Sequence, residues 1–139
     1  DVCQEVCPWN RRVEPGAAPD LAGGPWFSVS HSPARVAVAL CTRARVGLDL
    51  EEAAAATVAA GSCAGSLERW TAIEAALKAC GLGLRALRRA RVADDLSRAE
   101  VDGQPLWLRR VDLGAGCAAF LATATEVVSV AVERLADPW

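Results

Sequence analysis

Tyr and Met are absent from the 139 residues, and Lys and His each occur once, as Lys78 and His31. Aromatic residues make up only 5%. No charge of one sign dominates: 15 Lys+Arg stand against 17 Asp+Glu, a net charge of −2. That excludes the global basic field of a nucleic-acid binder. No apolar run approaches the roughly 18 residues that a membrane span needs. The first residues, DVCQEVCPWNRR, have neither the charged nor the apolar region of a signal peptide. The expectation is a soluble, cytoplasmic protein with no nucleic-acid and no membrane partner. A hydrophobic content of 53% argues against disorder, and the length suits one ordinary domain.

There is also no CxxC pair among the six cysteines, Cys3, Cys7, Cys41, Cys63, Cys80 and Cys117. Cys41, Cys80 and Cys117 sit among apolar residues and are expected to be reduced, mostly buried thiols. Cys3 and Cys7 differ. The run Cys3-Gln4-Glu5-Val6-Cys7-Pro8 matches the second half of a bacterial ferredoxin pattern. Over about ten residues it resembles the iron–sulfur loop of epoxyqueuosine reductases. A four-iron cluster needs two further thiolates upstream, so the segment reads as the leftover of a fusion, a truncation or a misplaced start. Residues 1–24, rich in Pro and Gly, read as an irregular leader. Residues 25–139 read as the domain.

Within that domain, Trp26–Ser30, Arg35–Cys41 and Val46–Glu51 read as strands. The intervening turns, His31–Ala34 and Thr42–Ala44, are short enough for hairpins. Ala53–Ala60 reads as a short helix. Ser66 is an N-cap for a helix over Leu67–Cys80, which Gly81 stops. Leu67, Trp70, Ile73, Leu77 and Cys80 form its expected apolar face. Pro105–Leu113, Gly116–Ala124 and Val127–Leu135 read as strands, with Asp102-Gly103 as a turn. The fold class is α+β: an antiparallel sheet with helices packed on one face.

Three segments carry chemistry. In Gly47-Leu48-Asp49-Leu50-Glu51, strand alternation puts Asp49 and Glu51 on one face, about 7 Å apart, with Leu48 and Leu50 toward the core. Paired carboxylates repel unless a cation or a proton lies between them, and hard oxygen ligands suit Mg²⁺. Equally, Asp-x-Glu on an exposed strand is commonly solvated charge. In the helix, Glu74 and Lys78 are four apart and border the apolar face. They can be an ordinary surface pair, but Lys78 is the only Lys. In Phe27-Ser28-Val29-Ser30-His31-Ser32, a Ser-His-Ser turn after an apolar strand offers donors to an anion, or is simply a capped turn. No G-x-S-x-G elbow supports a serine hydrolase.

In order, FSVSHS, GLDLE and WTAIEAALKACGLGL resemble the three blocks of the 4′-phosphopantetheinyl transferase superfamily, closest to the Sfp-like branch. The resemblance runs from about Pro25 to Gly83. The later strands, PLWLRRVDLGAGCAAFLAT, look like that family's C-terminal sheet. It implies the transferase fold, with transfer of 4′-phosphopantetheine from coenzyme A to a Ser of an acyl or peptidyl carrier protein. It implies that Asp49, Glu51 and Glu74 hold Mg²⁺, that Glu74 or a water it orients deprotonates the carrier Ser, and that Lys78 neutralises phosphate charge. Ser30 and His31 would bind coenzyme A phosphates. Arg85, Arg88, Arg89 and Arg91 could steer an acidic carrier protein, or form a solvated basic face.

The pattern departs from the family in three places. Ile73 stands where the family has Lys, which removes one phosphate contact. Only 18 residues, Glu52–Arg69, separate the second and third blocks. The chain matches the end of the first and all of the second of the two pseudo-symmetric halves of Sfp-like enzymes. Self-association into a homo-oligomer, as in the shorter trimeric holo-carrier synthases, or a weak or dead copy would follow. The rival expectations are a non-catalytic module that binds coenzyme A or carrier protein, and a fragment of an iron–sulfur redox protein.

Overall fold

The computed structural model describes residues 26–52, 66–127 and 129–135. The leader with Cys3 and Cys7, the 24/25 boundary and the expected helix Ala53–Ala60 lie outside the described residues. Within them the chain is α+β, with antiparallel strand pairing throughout.

Strands β1 (Trp26–His31) and β2 (Val36–Cys41) form a two-stranded hairpin in which Val29 faces Val38. Ser32 shapes its turn: the Oγ accepts from the amides of Ala34 and Arg35, and the Ser32 N–H donates to Arg35 O at 2.8 Å. Strand β3 (Val46–Glu52) does not continue this hairpin. It pairs with β7 (Cys117–Thr123) at one edge of a second, five-stranded sheet. The expected 42–44 hairpin is therefore a crossing between sheets. The physical reason is burial: Val46 to Leu50 are all buried, so β3 needs cover on both faces.

The large sheet runs β3-β7-β6-β5-β4, with β4 Ala90–Val92, β5 Arg98–Val101 and β6 Gln104–Arg110. Asp102 and Gly103, at φ of 51° and 82°, form the two-residue loop between β5 and β6, with Val101 opposite Gln104. Positive φ at both loop positions is what a type I′ hairpin turn demands. Strands β4 and β5 escaped the sequence reading because they are only three and four residues long. Conversely, the described residues of 127–135 form no strand. Val132 and Leu135 are exposed, and β7 already has β3 and β6 on its two sides.

Helix α1 (Leu67–Ala79) begins at Ser66, whose Oγ accepts from the Arg69 amide at 3.1 Å. It ends in a Schellman pattern: Leu82 N–H donates to Leu77 O and Gly81 N–H to Lys78 O, with Gly81 at φ 69°. A 3₁₀ segment, Leu84–Arg89, leads into β4. The buried side of α1 is not the large-residue stripe. Ala72, Ala75, Ala76 and Ala79 are buried with Leu77, while Ile73 and Cys80 only border the core. Small residues win because the helix lies directly on β3. A Cβ at Gly47 would collide with the backbone of Ala75 and Ala79. One core, including Leu77, Val101, Leu106 and Phe120, fills the space between α1 and the sheet. A second, including Leu48, Leu50 and Leu121, lies on the opposite face with Trp26, Ala37 and Ala39 of the hairpin packed against it.

Candidate metal centre

Alternation along β3 sends Val46, Leu48 and Leu50 to the hairpin-side core. Gly47, Asp49 and Glu51 consequently face α1. The close approach at Gly47 draws the helix onto that face, and Glu74 meets the two strand carboxylates there. One ligand oxygen from each of Asp49, Glu51 and Glu74 lies within 4.8 Å of the other two. Asp49 is only 3% exposed and Glu74 8%. The spacing expectation therefore holds for the shared face, but the face is interior, not solvated.

The electrostatics follow from that burial. Asp49 is lifted from 3.8 to about 7, chiefly by burial. The Lys78 ammonium pulls the other way, and the Glu74 carboxylate adds to the rise. Burial thus outweighs an ion pair at 3.1 Å. Glu51 is likewise raised from 4.5 to about 7, by burial first and then by Asp49. Glu74 is raised by burial and then by Glu51. Three acids in one low-dielectric space cannot all ionise without a compensating charge.

Lys78 supplies part of that charge. Its Nζ donates to Asp49 Oδ1 at 3.1 Å, to Leu48 O at 3.1 Å and to Val29 O at 3.4 Å. All three ammonium donors are engaged, so Lys78 fastens β1, β3 and α1 together. Ser30 is buried as well. Its Oγ donates to Asp49 Oδ1 at 3.4 Å and accepts from the Leu50 amide at 3.1 Å. Ser28 Oγ accepts from the Leu48 amide in the same way. These hydroxyls bond amides on the outer edge of β3, which pairs with no other strand among the described residues. His31 follows Ser30 and is exposed at the end of β1.

One atom in this network has no partner. Asp49 Oδ2 is a buried side-chain oxygen without a hydrogen bond. An orphaned carboxylate oxygen is costly unless a cation or a proton meets it. The donor set, three carboxylates with one open buried oxygen, fits a hard divalent cation such as Mg²⁺.

The sequence reading missed a second polar group beside this one. Arg35 Nη1 donates to both Glu52 oxygens at 2.9 and 2.8 Å, and Ser32 Oγ donates to Glu52 Oε1 at 2.7 Å. The available signal was the turn Ser32-Pro33-Ala34-Arg35 together with strand parity, which sends Glu52 to the face opposite Glu51. The four Arg residues expected either to steer a carrier protein or to form a solvated face are exposed and spread over two elements. Arg85, Arg88 and Arg89 lie on the 3₁₀ segment and Arg91 on β4, and Arg89 Nε donates to both Asp102 carboxylate oxygens. Ile73 is half-buried against the core. Cys41, Cys80 and Cys117 are free and half-buried, and burial pushes the Cys80 and Cys117 thiols up.

Among the described residues no helix is long and apolar enough to cross a membrane. No protein-family model matches the chain, and no curated protein matches it.

Proposed function

We propose that this chain is a Mg²⁺-dependent 4′-phosphopantetheinyl transferase domain. On this reading it moves phosphopantetheine from coenzyme A to a Ser hydroxyl of an acyl or peptidyl carrier protein. The observation that carries the proposal is the meeting of Asp49, Glu51 and Glu74 within 4.8 Å, with an orphaned buried oxygen on Asp49. The three acids come from the two segments, GLDLE and WTAIEAALK, that resemble the family's metal blocks.

Phosphoryl transfer is catalysed mainly by positioning and charge stabilisation. A divalent cation at the three carboxylates would neutralise charge on the pyrophosphate of coenzyme A. Asp49 and Glu51 hold their oxygens in place from a buried strand. Ser30 and Lys78 orient Asp49 Oδ1, which leaves Oδ2 open. Glu74, raised by its buried surroundings, is suited to accept the proton of the carrier Ser. The Ser oxygen bonds to the phosphorus that carries pantetheine. The bond from that phosphorus to the bridging oxygen breaks, and 3′,5′-ADP leaves. His31, exposed at the end of β1, is the donor for a coenzyme A phosphate. Lys78 acts on that phosphate through its field, because its donors are already engaged.

A second reading, a module that binds coenzyme A or carrier protein without turnover, is favoured by one observation. Ile73 adds no cation to the site, where the family supplies a Lys. The two readings separate in one experiment. The protein is incubated with coenzyme A, Mg²⁺ and an apo carrier protein, and the carrier is weighed intact. Wild type adds phosphopantetheine and Glu74→Gln does not. If wild type binds coenzyme A yet leaves the carrier unmodified, the transferase reading fails and the binding module stands.

A further inference from the structure

Strands β1 and β3 belong to different sheets, so side chains hold the hairpin to the large sheet. Of the hairpin's polar attachments, Ser30 and Lys78 lie inside the metal centre and Ser28 bonds the Leu48 amide next to it. Another is separate. Arg35, just past the turn, grips Glu52 through both carboxylate oxygens, and its Nη2 donates to Ala115 O at 2.8 Å. Ser32, inside the turn, adds its own bond to Glu52. Three segments therefore meet at one guanidinium: the β1–β2 turn, the end of β3 and the loop before β7. Glu51 and Glu52 are neighbours that strand parity sends to opposite faces. The first enters the acid cluster and the second enters this clamp.

We propose that Arg35, Glu52 and Ser32 are positioning residues that fix the His31 turn relative to the carboxylate centre. The backbone that carries His31 is then held at a fixed place relative to the centre. That an anion at the centre reaches His31 rests on the transferase reading; the clamp itself does not. Bidentate Arg–carboxylate pairing defines an orientation as well as a distance, which a single point contact does not. The pair is half-buried, with side-chain exposures of 26% and 21%, so water competes only in part. Arg35 touches none of the three proposed metal ligands, and its loss leaves their donor atoms intact.

The test uses the full chain and Mn²⁺, whose unpaired electrons broaden nearby nuclear resonances. His31 is the only histidine, so its imidazole Hε1 gives one assignable signal. In wild type, Mn²⁺ broadens that signal. In Arg35→Ala and Glu52→Gln the broadening falls while Mn²⁺ affinity, measured by calorimetry, stays at the wild-type value. Coenzyme A affinity in the presence of Mg²⁺ drops about tenfold in Arg35→Ala, the scale of one charge-assisted bond. Arg35→Lys, which keeps the charge and one contact, recovers part of both losses. Equal broadening in wild type and both variants overturns the clamp while leaving the metal centre standing. Loss of Mn²⁺ affinity in Arg35→Lys as well as Arg35→Ala also overturns it, because the residue then serves folding alone. Broadening that depends on Arg35 in a protein that never binds coenzyme A keeps the clamp and removes the transferase reading. No Mn²⁺ effect in wild type removes both.

Discussion

Asp49 has one oxygen on Lys78 and Ser30 and the other on nothing. That asymmetry makes a testable pH prediction. Asp49 and Glu51 both sit near 7 in the fold, against ordinary values of 3.8 and 4.5. Raised acids bind more protons folded than unfolded, so their contribution to stability is full below about pH 4 and is lost as pH rises toward 7. Metal-free protein should show that decline in thermal melts. Mg²⁺ needs the ionised acids, so the rise in Tm on adding Mg²⁺ should grow from pH 5 to pH 8. A Mg²⁺ effect that shrinks over that interval contradicts the assignment. Lys78→Met should cost about 3 kcal/mol in urea unfolding, because it strands a buried carboxylate. A loss under about 1 kcal/mol would show that Asp49 does not depend on Lys78. At this scale the sequence disclosed part of the site, and Glu74 was joined to it only through the family resemblance. Alternation paired Asp49 with Glu51, and the lone Lys and His marked their segments. It did not disclose that Ser30 and Lys78 are already bonded within the protein, because burial is a property of neighbours distant in sequence.

Contact between β3 and α1 is what turns two acidic segments into one site. It depends on Gly47, where a side chain would strike helix backbone rather than a movable side chain. Gly47→Ala should therefore destabilise by about 3 kcal/mol. It should also weaken Mg²⁺ binding, since the helix that carries Glu74 must shift outward. Unchanged stability and affinity would mean that the helix does not rest on this strand. Ser66→Ala removes only a cap at the far end of the same helix and should cost about 1 kcal/mol with Mg²⁺ affinity retained. Both are read by chemical unfolding beside calorimetry. The helix and its caps were legible because Ser66 and Gly81 are strong local signals. Its buried face was not. Periodicity pointed to Leu67, Trp70, Ile73, Leu77 and Cys80, of which only Leu77 is buried, whereas the close approach at Gly47 favours alanines at 75 and 79, and no local pattern announces a partner strand that lacks a Cβ.

The described residues form a helix, a five-stranded sheet and a hairpin, with the carboxylates in the layer between sheet and helix. Its strands at 26–31, 36–41, 46–52, 104–110 and 117–123 were legible from alternation, within a residue or a few at each end. The partition into two sheets was not, because short connections such as 42–44 fit a hairpin and a crossing equally well. The hairpin's outward face carries Val36, Val38 and Leu40, at 74%, 58% and 69% exposed. These residues support no core, so Val38→Lys should change stability by less than about 0.5 kcal/mol in thermal unfolding. A large loss would mean that this face is covered in solution. The central claim concerns the layer beneath it and is tested most directly by Mg²⁺ calorimetry on the full chain at pH 8. The account predicts a saturable site in wild type that disappears in both Glu74→Gln and Glu51→Gln while the fold persists. Wild-type protein without a Mg²⁺ site, or variants that bind as wild type does, would contradict it.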